Sequence, residues 1–597
     1  MVQPCRVNGY VIAYRRYTGD GAIGQVIRLA PGLISRDSEE GHFMESRTSW
    51  PSRRVSRRTA LRGAGIGLAG LSGAALIGCG DSDESGDATA AATATSGGAA
   101  PAPSVTTPEA SMRARGGTLK VALGSDPTGL DPSTSRGGGD HHYLYSIFEN
   151  LVNNGPDFST QPGVATEWEV VDDVTIRFKI KEGLKFHDGS DLTAEDVQFT
   201  VEHHQNPETQ SYSAGQVTSI DSVEIVDDSN VVFHLNSITA SLFAILGDRN
   251  GMIMPKAATL AAGKDFTNKP VGSGPFKFKS WAVDANVQMV RNDDYAEDYP
   301  YMDAIDVQVV PNSSVQFANL RTGDADYISV DSKDRETARG TDGIQLHEWV
   351  STAYTQVNIN TAVAPINDMR VRQALTYSLN RQAILDAIFF GEGEVANGPM
   401  TKASWAYNEN LAPIPEDLTK AKQFLDAAGY ADGLAFEMVI TADETRLPLS
   451  EMMKAQWARI GVDCTIVARS AEEAGAEYRN QLYPMFLTFF SGRADPDMTI
   501  FENFHSQGGF NRAKFAENFT LSTEAMELDA RIEAGRQVYD QAERKAIYDD
   551  VQTRIAEQAF GIFFTHRTNA VALSERVEGF QPYGDGKHRF HELSLKA

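Results

Sequence analysis

Alternating apolar and polar positions mark an unusually regular stretch early in the chain. From Thr175 to Ile180 every second side chain is apolar, the period-two pattern of a strand with one buried face. His187–Ser190 follows as a glycine-centred turn. Thr193 is then a helix N-cap, and Asp196, three residues on, occupies the acidic position of a capping box. Residues 165–199 therefore predict a strand, a tight turn and a capped helix.

Similar patterns recur further along. Strands are predicted at 117–124, 222–226, 230–235, 276–281 and 354–360, and helices at 141–152 and from Asp368 through Arg381. Residues 222–226 and 230–235 read as a hairpin around a polar turn. Gly323 is placed to end a further helix in a left-handed turn.

Charge is distributed unevenly in this 597-residue chain, whose 41% apolar and 22% charged residues describe a soluble, multidomain globular protein. Residues 1–115 carry 13 Arg, no Lys and 10 acids, a net charge of +3. Residues 116–597 carry 41 basic and 70 acidic residues, a net charge of -29. Such an acidic body would repel phosphate backbones, so we expect no nucleic-acid partner.

Cysteines are scarce and unevenly placed. The three are Cys5, Cys79 and Cys464. Cys464 lies in an apolar run and is interpreted as a buried, inert thiol. With no set that can pair, a disulfide framework and a cysteine-based zinc site are excluded, and we expect neither a metal site nor a cofactor.

An export signal is predicted before the folded body. The basic segment Ser56–Arg62 precedes the short, glycine-rich apolar run Gly63–Gly78, which is too short and too weakly apolar for a stable membrane span. The paired arginines resemble a twin-arginine signal, and Leu76–Cys79 resembles the lipobox of bacterial lipoproteins. We therefore expect a signal peptide at 44–78 and a mature protein that begins at a lipid-anchored Cys79.

The flanks of this signal lead to two further expectations. Met44 lies at a sensible distance before the arginines, so residues 1–43 are interpreted as a start-site overcall or a disordered extension. Residues 79–115 are dominated by Asp, Ser, Gly, Ala, Thr and Pro up to about Ser111. That composition cannot offset its chain entropy and predicts a flexible tether.

Several ordered motifs resemble one protein family, the bacterial extracellular solute-binding proteins of family 5, which include peptide- and nickel-binding lipoproteins of ABC importers. The motifs cover roughly 117–590 and include the stretch 165–199 itself. The others are Gly124–Ser133 with the helix that follows it, Val271–Phe276, Arg291–Tyr295, Leu320–Asp326 and Asp368–Leu375.

The resemblance implies an α/β protein with the type II periplasmic-binding-protein fold, which has two lobes, a hinge and an extra domain inserted in the first lobe. Domain I would comprise 116–150, 270–352 and 565–597, domain II 151–269, and domain III 353–564. The hinge would lie in the crossings near 350–358 and 562–570. Its closure would bury the ligand between the lobes, and an importer's membrane subunits would recognise the closed form.

The segment Phe489–Asp497 departs from the family's peptide-binding pattern. Peptide binders usually carry an acid three positions before the Asp-Pro pair, where it holds the ligand's α-ammonium; here that position is Gly492, followed by Arg493. Arg493 could clamp a ligand carboxylate bidentately, or pair structurally with Asp495 or Asp497. The aromatic position of the pattern is filled by Phe489.

We therefore expect an extracytoplasmic, non-enzymatic importer component, a monomer that binds a peptide or similar small organic solute and delivers it to the permease. The expected ligand-binding residues are Arg493, Phe489, Gly492, Asp495, Arg136, Asn358 and Trp405. A nickel- or haem-binding importer component is the alternative. A cell-surface hydrolase is disfavoured because His187-Asp188, His141-His142 and Ser491-Gly492 complete no catalytic motif.

Overall fold

The computed structural model describes residues 4–7, 10–13, 113–297, 299–511 and 521–596. The chain divides into two compact units, Met1–Pro103 and Ser104–Ala597. In the first unit the described residues form two short antiparallel strands. The predicted signal peptide, Cys79 and the tether as far as residue 112 lie outside the described residues.

The elements are numbered here in chain order. The strands are β1 (Pro4–Val7), β2 (Tyr10–Ala13), β3 (Thr118–Leu123), β4 (Val152–Asn154), β5 (Thr160–Pro162), β6 (Ala165–Asp172), β7 (Thr175–Ile180), β8 (Ile220–Asp227), β9 (Asn230–Leu235), β10 (Phe276–Ala282), β11 (Asn286–Arg291), β12 (Ala304–Val309), β13 (Tyr327–Ser329), β14 (Ile344–Ile359), β15 (Glu394–Val395), β16 (Leu434–Thr441), β17 (Val462–Arg469), β18 (Met485–Phe490), β19 (Gly561–Ser574), β20 (Val577–Glu578) and β21 (Ser594–Leu595). The helices are α1 (His141–Ile147), α2 (Ala194–Gln205), α3 (Leu242–Leu246), α4 (Lys256–Ala262), α5 (Ser313–Thr322), α6 (Arg335–Arg339), α7 (Met369–Tyr377), α8 (Arg381–Ile388), α9 (Leu418–Ala427), α10 (Arg446–Ala458), α11 (Ala471–Arg479), α12 (Asp497–Phe504), α13 (Thr523–Arg536) and α14 (Gln541–Glu557).

Eleven of the described strands form one mixed sheet, in the order β10-β11-β12-β3-β13-β19-β14-β18-β16-β17, with β15 beside β19. One half contains the parallel set β12-β3-β13 and the other the parallel set β18-β16-β17. The long antiparallel strands β14 and β19 join the halves. Their register shifts between Val350 and Tyr354, so the ladder is irregular where the two halves meet.

Four further described strands form a separate antiparallel sheet, β6-β7-β9-β8. Every second side chain of β7 is buried, as its sequence pattern predicts. At the start of α2 both the N–H and the hydroxyl of Thr193 donate to Asp196 Oδ2, at 3.0 and 3.2 Å. The predicted strand, turn and capped helix are therefore confirmed.

Three large apolar clusters fill the body. One surrounds β3 and β12 and includes Phe590 from the far end of the sequence. A second lies between the four-stranded sheet and α2. The third packs α7–α10 on the second half of the large sheet, with Trp457 fully buried and its Nε1 donating to the Leu375 carbonyl at 3.1 Å. Cys464 is completely buried in this third cluster, and burial raises the pKa of its thiol to about 12.

Two predicted helices have different bounds in the structure. The helix expected at 141–152 ends at Ile147, and Val152 belongs to strand β4. The helix expected from Asp368 through Arg381 is two helices, because Asn380 caps α8 by accepting a hydrogen bond from the Ala383 N–H at 2.9 Å. Gly323 does end α5 in a left-handed turn, with φ of 80°.

No helix among the described residues combines the length and the apolar character needed to cross a membrane.

Candidate ligand-binding site

The chain after strand β18 runs along three cavities. Phe489 and Phe490 end β18 and pair with Thr355 and Tyr354 of β14. The chain then continues without regular structure until α12 begins at Asp497. We call the cavities the arginine cavity (about 320 Å³), the central cavity (about 360 Å³) and the outer cavity (about 240 Å³).

The arginine cavity is rich in guanidinium groups and aromatic rings. It is lined by the basic residues Arg136, Arg249, Arg479 and Arg493, the acidic residues Asp248 and Glu502, and the apolar residues Tyr212, Phe490, Met498 and Phe510, among others. Four arginines against two acids give its lining an excess of positive charge, which attracts negatively charged groups. Its volume falls in the range of small-molecule sites.

Arg493 is held in this cavity without a carboxylate partner. Its Nη1 donates to Ser491 Oγ and to the Gly492 carbonyl, both at 3.1 Å, and its guanidinium lies 5.5 Å from the Phe490 ring centre. Within the described chain no Asp or Glu oxygen lies within 4.0 Å of its nitrogens. Donors remain available for bidentate recognition of a carboxylate.

Asp248 in the arginine cavity is already fully engaged. Its Oδ2 accepts from Lys587 Nζ at 2.5 Å, and its Oδ1 accepts from the Arg249 N–H at 2.7 Å and bonds to His141 Nε2. Burial opposes ionisation of Asp248, but Lys587 and His141 hold its pKa well below the usual range. Asp248 therefore neutralises protein cations rather than ligand cations.

Lys587, the ion-pair partner of Asp248, lines the central cavity together with Gly138, Ser491 and Gly492. Burial lowers the pKa of Lys587 to about 8, while Asp248 opposes the shift. The ammonium group is thus a fixed, compensated charge beside Gly492. A ligand ammonium would meet it as a like charge.

Two glycines let separate chain segments approach each other here. A Cβ on Gly492 would lie 1.9 Å from Thr352 Oγ1 and 3.0 Å from the Thr352 carbonyl carbon. A Cβ on Gly138 would lie 2.7 Å from Ser491 Oγ. Because Thr352 fills the space, residue 492 has no room for an acidic side chain.

Phe489 lines both the central and the outer cavity. Two guanidinium groups lie near its ring, that of Arg446 at 4.1 Å and that of Arg567 at 5.2 Å from the ring centre. Both are within the range of cation–π attraction. The Phe489 ring therefore contacts the guanidinium groups of two arginines at the cleft.

The predicted site residues separate into two groups. Arg493 and Arg136 line the arginine cavity, and Phe489 and Gly492 line the central cavity. The other three, Asp495, Trp405 and Asn358, line none of the three cavities. Asp495 binds Arg544, and the Trp405 ring lies 5.1 Å from the guanidinium of the same arginine. Buried Asn358 accepts a hydrogen bond from Gln356. Asp497 binds Arg536 and Ser241. Arg493 is thus paired with neither Asp495 nor Asp497, and ligand roles for all seven site residues stay predictions.

Two histidines of the described chain, His187 and His204, make contacts that hold the fold together. His187 Nε2 lies 2.9 Å from the Gly274 carbonyl and its Nδ1 accepts from the Gly272 N–H at 3.3 Å, so it ties the predicted turn to the glycine-rich segment. His204 is fully buried, and its Nδ1 lies 2.8 Å from Ser211 Oγ. Burial lowers the pKa of His204 to about 3. No group of three or more His, Cys, Asp or Glu suited to a metal occurs in the described ranges.

Several cleft residues were not predicted. They are Tyr212, Asp248, Arg249, Arg479, Arg567 and Lys587. They come from five distant parts of the sequence and no local motif marks them. Only the three-dimensional fold brings them together, and for Lys587 it does so by returning the chain to the cleft after β19.

Comparisons with known proteins identify the family. The family model described as "Bacterial extracellular solute-binding proteins, family 5 Middle" matches residues 159–512. Heme-binding protein A of Haemophilus influenzae is 28% identical over 514 residues, covering 80% of this chain and 91% of that protein. Oligopeptide-binding protein AppA of Bacillus subtilis is 27% identical over 493 residues, covering 78% and 89%.

A solved structure extends the likeness to the fold. The ABC transporter-associated periplasmic binding protein DppA from Helicobacter pylori, in complex with the peptide STSA, superposes with a TM-score of 0.74. The two chains are 25% identical, and the match covers 81% of this chain and 99% of that one. The predicted type II periplasmic-binding-protein fold is confirmed.

The fold and the cleft define a solute-binding protein. The chain belongs to the bacterial extracellular solute-binding proteins of family 5.

Proposed function

We propose that this protein captures a small organic anion, such as a peptide or a similar carboxylate, in the cleft along Phe489–Arg493 and delivers it to an ABC importer. The observation that carries the proposal is the guanidinium of Arg493, which lines the arginine cavity with no carboxylate partner in the described chain. The peptide-binding relatives and the family assignment support the transport role.

Electrostatics favour an anion over a free ammonium group as the recognised end. Gly492 offers no carboxylate, Asp248 is occupied by Lys587, and Lys587 itself lines the central cavity. An ammonium group buried beside Lys587 without a counter-charge would cost several kcal/mol, and the acid Asp331, which lines the same cavity, is exposed. A carboxylate beside Arg493 would instead gain charge-assisted, bidentate hydrogen bonds.

In the domain arrangement proposed from the sequence, a hinge joins the two lobes that form this cleft. The proposal keeps domain I at 116–150, 270–352 and 565–597, domain II at 151–269 and domain III at 353–564, and it is supported by three apolar clusters that each draw mainly on one of these domains. Strands β14 and β19 would bend at the irregular register near 350–354. Closure around solute is then the signal read by the importer.

Outside the folded body we propose export through the segment 44–78 and a lipid anchor on Cys79, with the protein acting as a monomer. Metabolic labelling with a fatty acid, comparing wild type with Cys79→Ala, tests the anchor. Incorporation that persists in Cys79→Ala would refute it.

The test of the binding role begins with the purified protein and native mass spectrometry, which identifies any solute that copurifies. Isothermal titration then compares wild type with Arg493→Ala. We expect affinity for the anionic solute to fall at least 30-fold, the equivalent of about 2 kcal/mol. Arg531→Ala, which removes an exposed ion pair with Asp550 far along the chain, is the matched control.

An unchanged affinity in Arg493→Ala would refute the anion clamp. The alternative is a haem or nickel cargo: Heme-binding protein A is named for haem, and the solved structure of NikZ from Campylobacter jejuni is a complex with Ni(L-His). Metal and absorbance analysis of the same preparation distinguishes it, since a metal or haem cargo at stoichiometric amount would replace the present proposal. Hydrolysis of a peptide and ester panel would likewise overturn the non-enzymatic assignment.

A further inference from the structure

A second arginine at the cleft lacks an acceptor. Arg567 lies on β19 and lines both the central and the outer cavity. Within the described chain its guanidinium donates no hydrogen bond and lies within 4.0 Å of no carboxylate oxygen. Its contact is the Phe489 ring, 5.2 Å from the guanidinium carbon.

Arg567 is half-buried and lies among other cations. Burial lowers the pKa of Arg567 to about 10, and the neighbouring cations Arg446 and Arg335 act in the same direction. The group still carries its charge at neutral pH. A guanidinium has five N–H donors, and those of half-buried Arg567 are open to the cavities that it lines, where a bound carboxylate would accept hydrogen bonds from them.

Neighbouring acids do not satisfy it. Asp443 binds Arg446, and Glu392 binds Arg335 and Arg339. Asp331 lines the same two cavities, but it is exposed and forms no ion pair in the described ranges. Arg335 adds a further unused donor, because its buried Nε has no hydrogen-bond partner.

We propose that Arg567 is a second anion-binding group, so that the solute carries two carboxylates, one held by Arg493 and the other by Arg567 against the Phe489 ring. This inference rests on the proposed function and adds the substrate class, a dicarboxylate without a required ammonium group. A planar carboxylate matches the guanidinium fork.

The spacing limits the size of such a solute. Phe489 and Arg493 are four residues apart, and four residues of extended chain span at most about 14 Å. Phe490 and Arg493 line the arginine cavity, and the intervening Ser491 and Gly492 line the central cavity. The backbone positions of Phe489 and Arg493 therefore lie within the length of a short peptide, and probes of that length are the ones to test.

Two pairs of probes isolate one carboxylate each. Succinyl-Ala-Ala and acetyl-Ala-Ala differ by a carboxylate at the end remote from the C-terminus, as do Glu-Ala-Ala and Gln-Ala-Ala. Isothermal titration of wild type should give at least 30-fold tighter binding for the two-carboxylate member of the succinyl–acetyl pair. Equal affinities within each pair, or no binding of any of the four, would overturn the inference.

The variant Arg567→Met keeps a side-chain stem on Phe489 and removes the guanidinium. We expect it to abolish the preference for the second carboxylate while leaving acetyl-Ala-Ala affinity within about threefold and the ligand-free Tm unchanged or higher. A merely structural arginine would instead lower the Tm and weaken both members equally. Arg576→Met is the control, because Arg576 pairs with Asp326 outside these cavities.

Failures of the two proposals give different results. If Arg493→Ala weakens all bound probes but Arg567→Met changes none, the importer function stands and the second subsite is wrong. If a neutral or cationic solute copurifies and Arg493→Ala leaves its affinity unchanged, both the proposed function and the second subsite are wrong.

Discussion

Asp495 and Arg544 form a buried ion pair with two parallel hydrogen bonds. Arg544 Nη1 donates to Asp495 Oδ2 and Nη2 donates to Oδ1, both at 2.8 Å. Arg544 Nε also donates to the Gly535 carbonyl at 3.0 Å. The pair joins the segment after Arg493 to helices α13 and α14, and so fixes the backbone that presents Arg493 to the cleft.

Breaking this pair should cost stability. Arg544→Met leaves the Asp495 carboxylate buried without its counter-charge, and we expect the free energy of unfolding to fall by about 3–5 kcal/mol. Denaturant unfolding of the folded protein measures the change. Arg531→Met, which breaks an exposed pair, should cost less than about 1 kcal/mol. A loss equally small for Arg544→Met would show that the buried pair is not a stabilising link.

Gly138 should be needed for closure of the cleft. Adding a methyl group at this position would bring it 2.7 Å from Ser491 Oγ and 2.8 Å from Ser491 Cβ. We expect Gly138→Ala to weaken solute binding roughly tenfold, because the closed state must shift to accept the methyl group. Titration with the copurified solute, and scattering with and without it, measure the two effects.

The next residue provides the control for that experiment. A Cβ on Gly139 would meet nothing within 4 Å. Gly139→Ala should therefore bind as wild type does, with a ligand-free Tm unchanged or slightly raised by the lower entropy of the unfolded chain. Equal losses in both variants would point to loop flexibility instead of the Ser491 contact.

Gly492 should tolerate no side chain. In Gly492→Ala the new Cβ meets the Thr352 hydroxyl and backbone, so we expect weaker binding and a lower Tm. Gly492→Asp should show the same loss without gaining affinity for free amino termini. Thr352→Gly in the Gly492→Ala background removes the hydroxyl and should restore part of the Tm. A gain of affinity for an amino terminus in Gly492→Asp would contradict the crowding observed here.

Glu149 should make stability depend on pH. Burial raises the pKa of its carboxyl to about 7, although Tyr295 donates to Oε1 at 3.0 Å and opposes the shift. The folded state therefore favours the protonated form. Stability from this group is complete below the unfolded pKa of about 4.5 and is lost as pH rises through 7.

Glu149→Gln replaces the carboxyl by a neutral amide. At pH 8 we expect it to unfold with a free energy higher than wild type by on the order of 2 kcal/mol, and the difference should vanish near pH 4. Denaturant unfolding at the two pH values measures this. Glu557→Gln, at an exposed position on α14, should show no such pH dependence. A wild-type profile for Glu149→Gln would contradict the raised pKa.

Local patterns predicted local structure well. The β7 alternation, the Thr193–Asp196 cap and the αL turn at Gly323 all follow from interactions within a few residues, and the structure has each of them. The end of helix α1 did not follow from periodicity, because apolar residues after Ile147 are buried by the chain around them rather than by a continuing helix.

The sequence predicted only some of the residues that line the candidate site. Arg493 and Gly492 stood out because they interrupt a recognisable pattern, whereas Asp495, two residues on, has the same kind of sequence context and turns inward to Arg544. Arg567 and Lys587 had no local signal at all. Their positions depend on which strands pair across the whole sheet, and that is set by long-range packing.

The link between Asp248 and Lys587 also bears on how the protein is made. The two residues are 339 positions apart, and His588 lies against His142 across 446 positions. Until residue 588 has been synthesised, Asp248 has no ammonium partner and the central cavity lacks one wall. Contacts of such high sequence separation form late and slowly. The ability to bind solute is therefore among the last properties that the nascent chain acquires, long after the four-stranded sheet β6-β7-β9-β8 can fold.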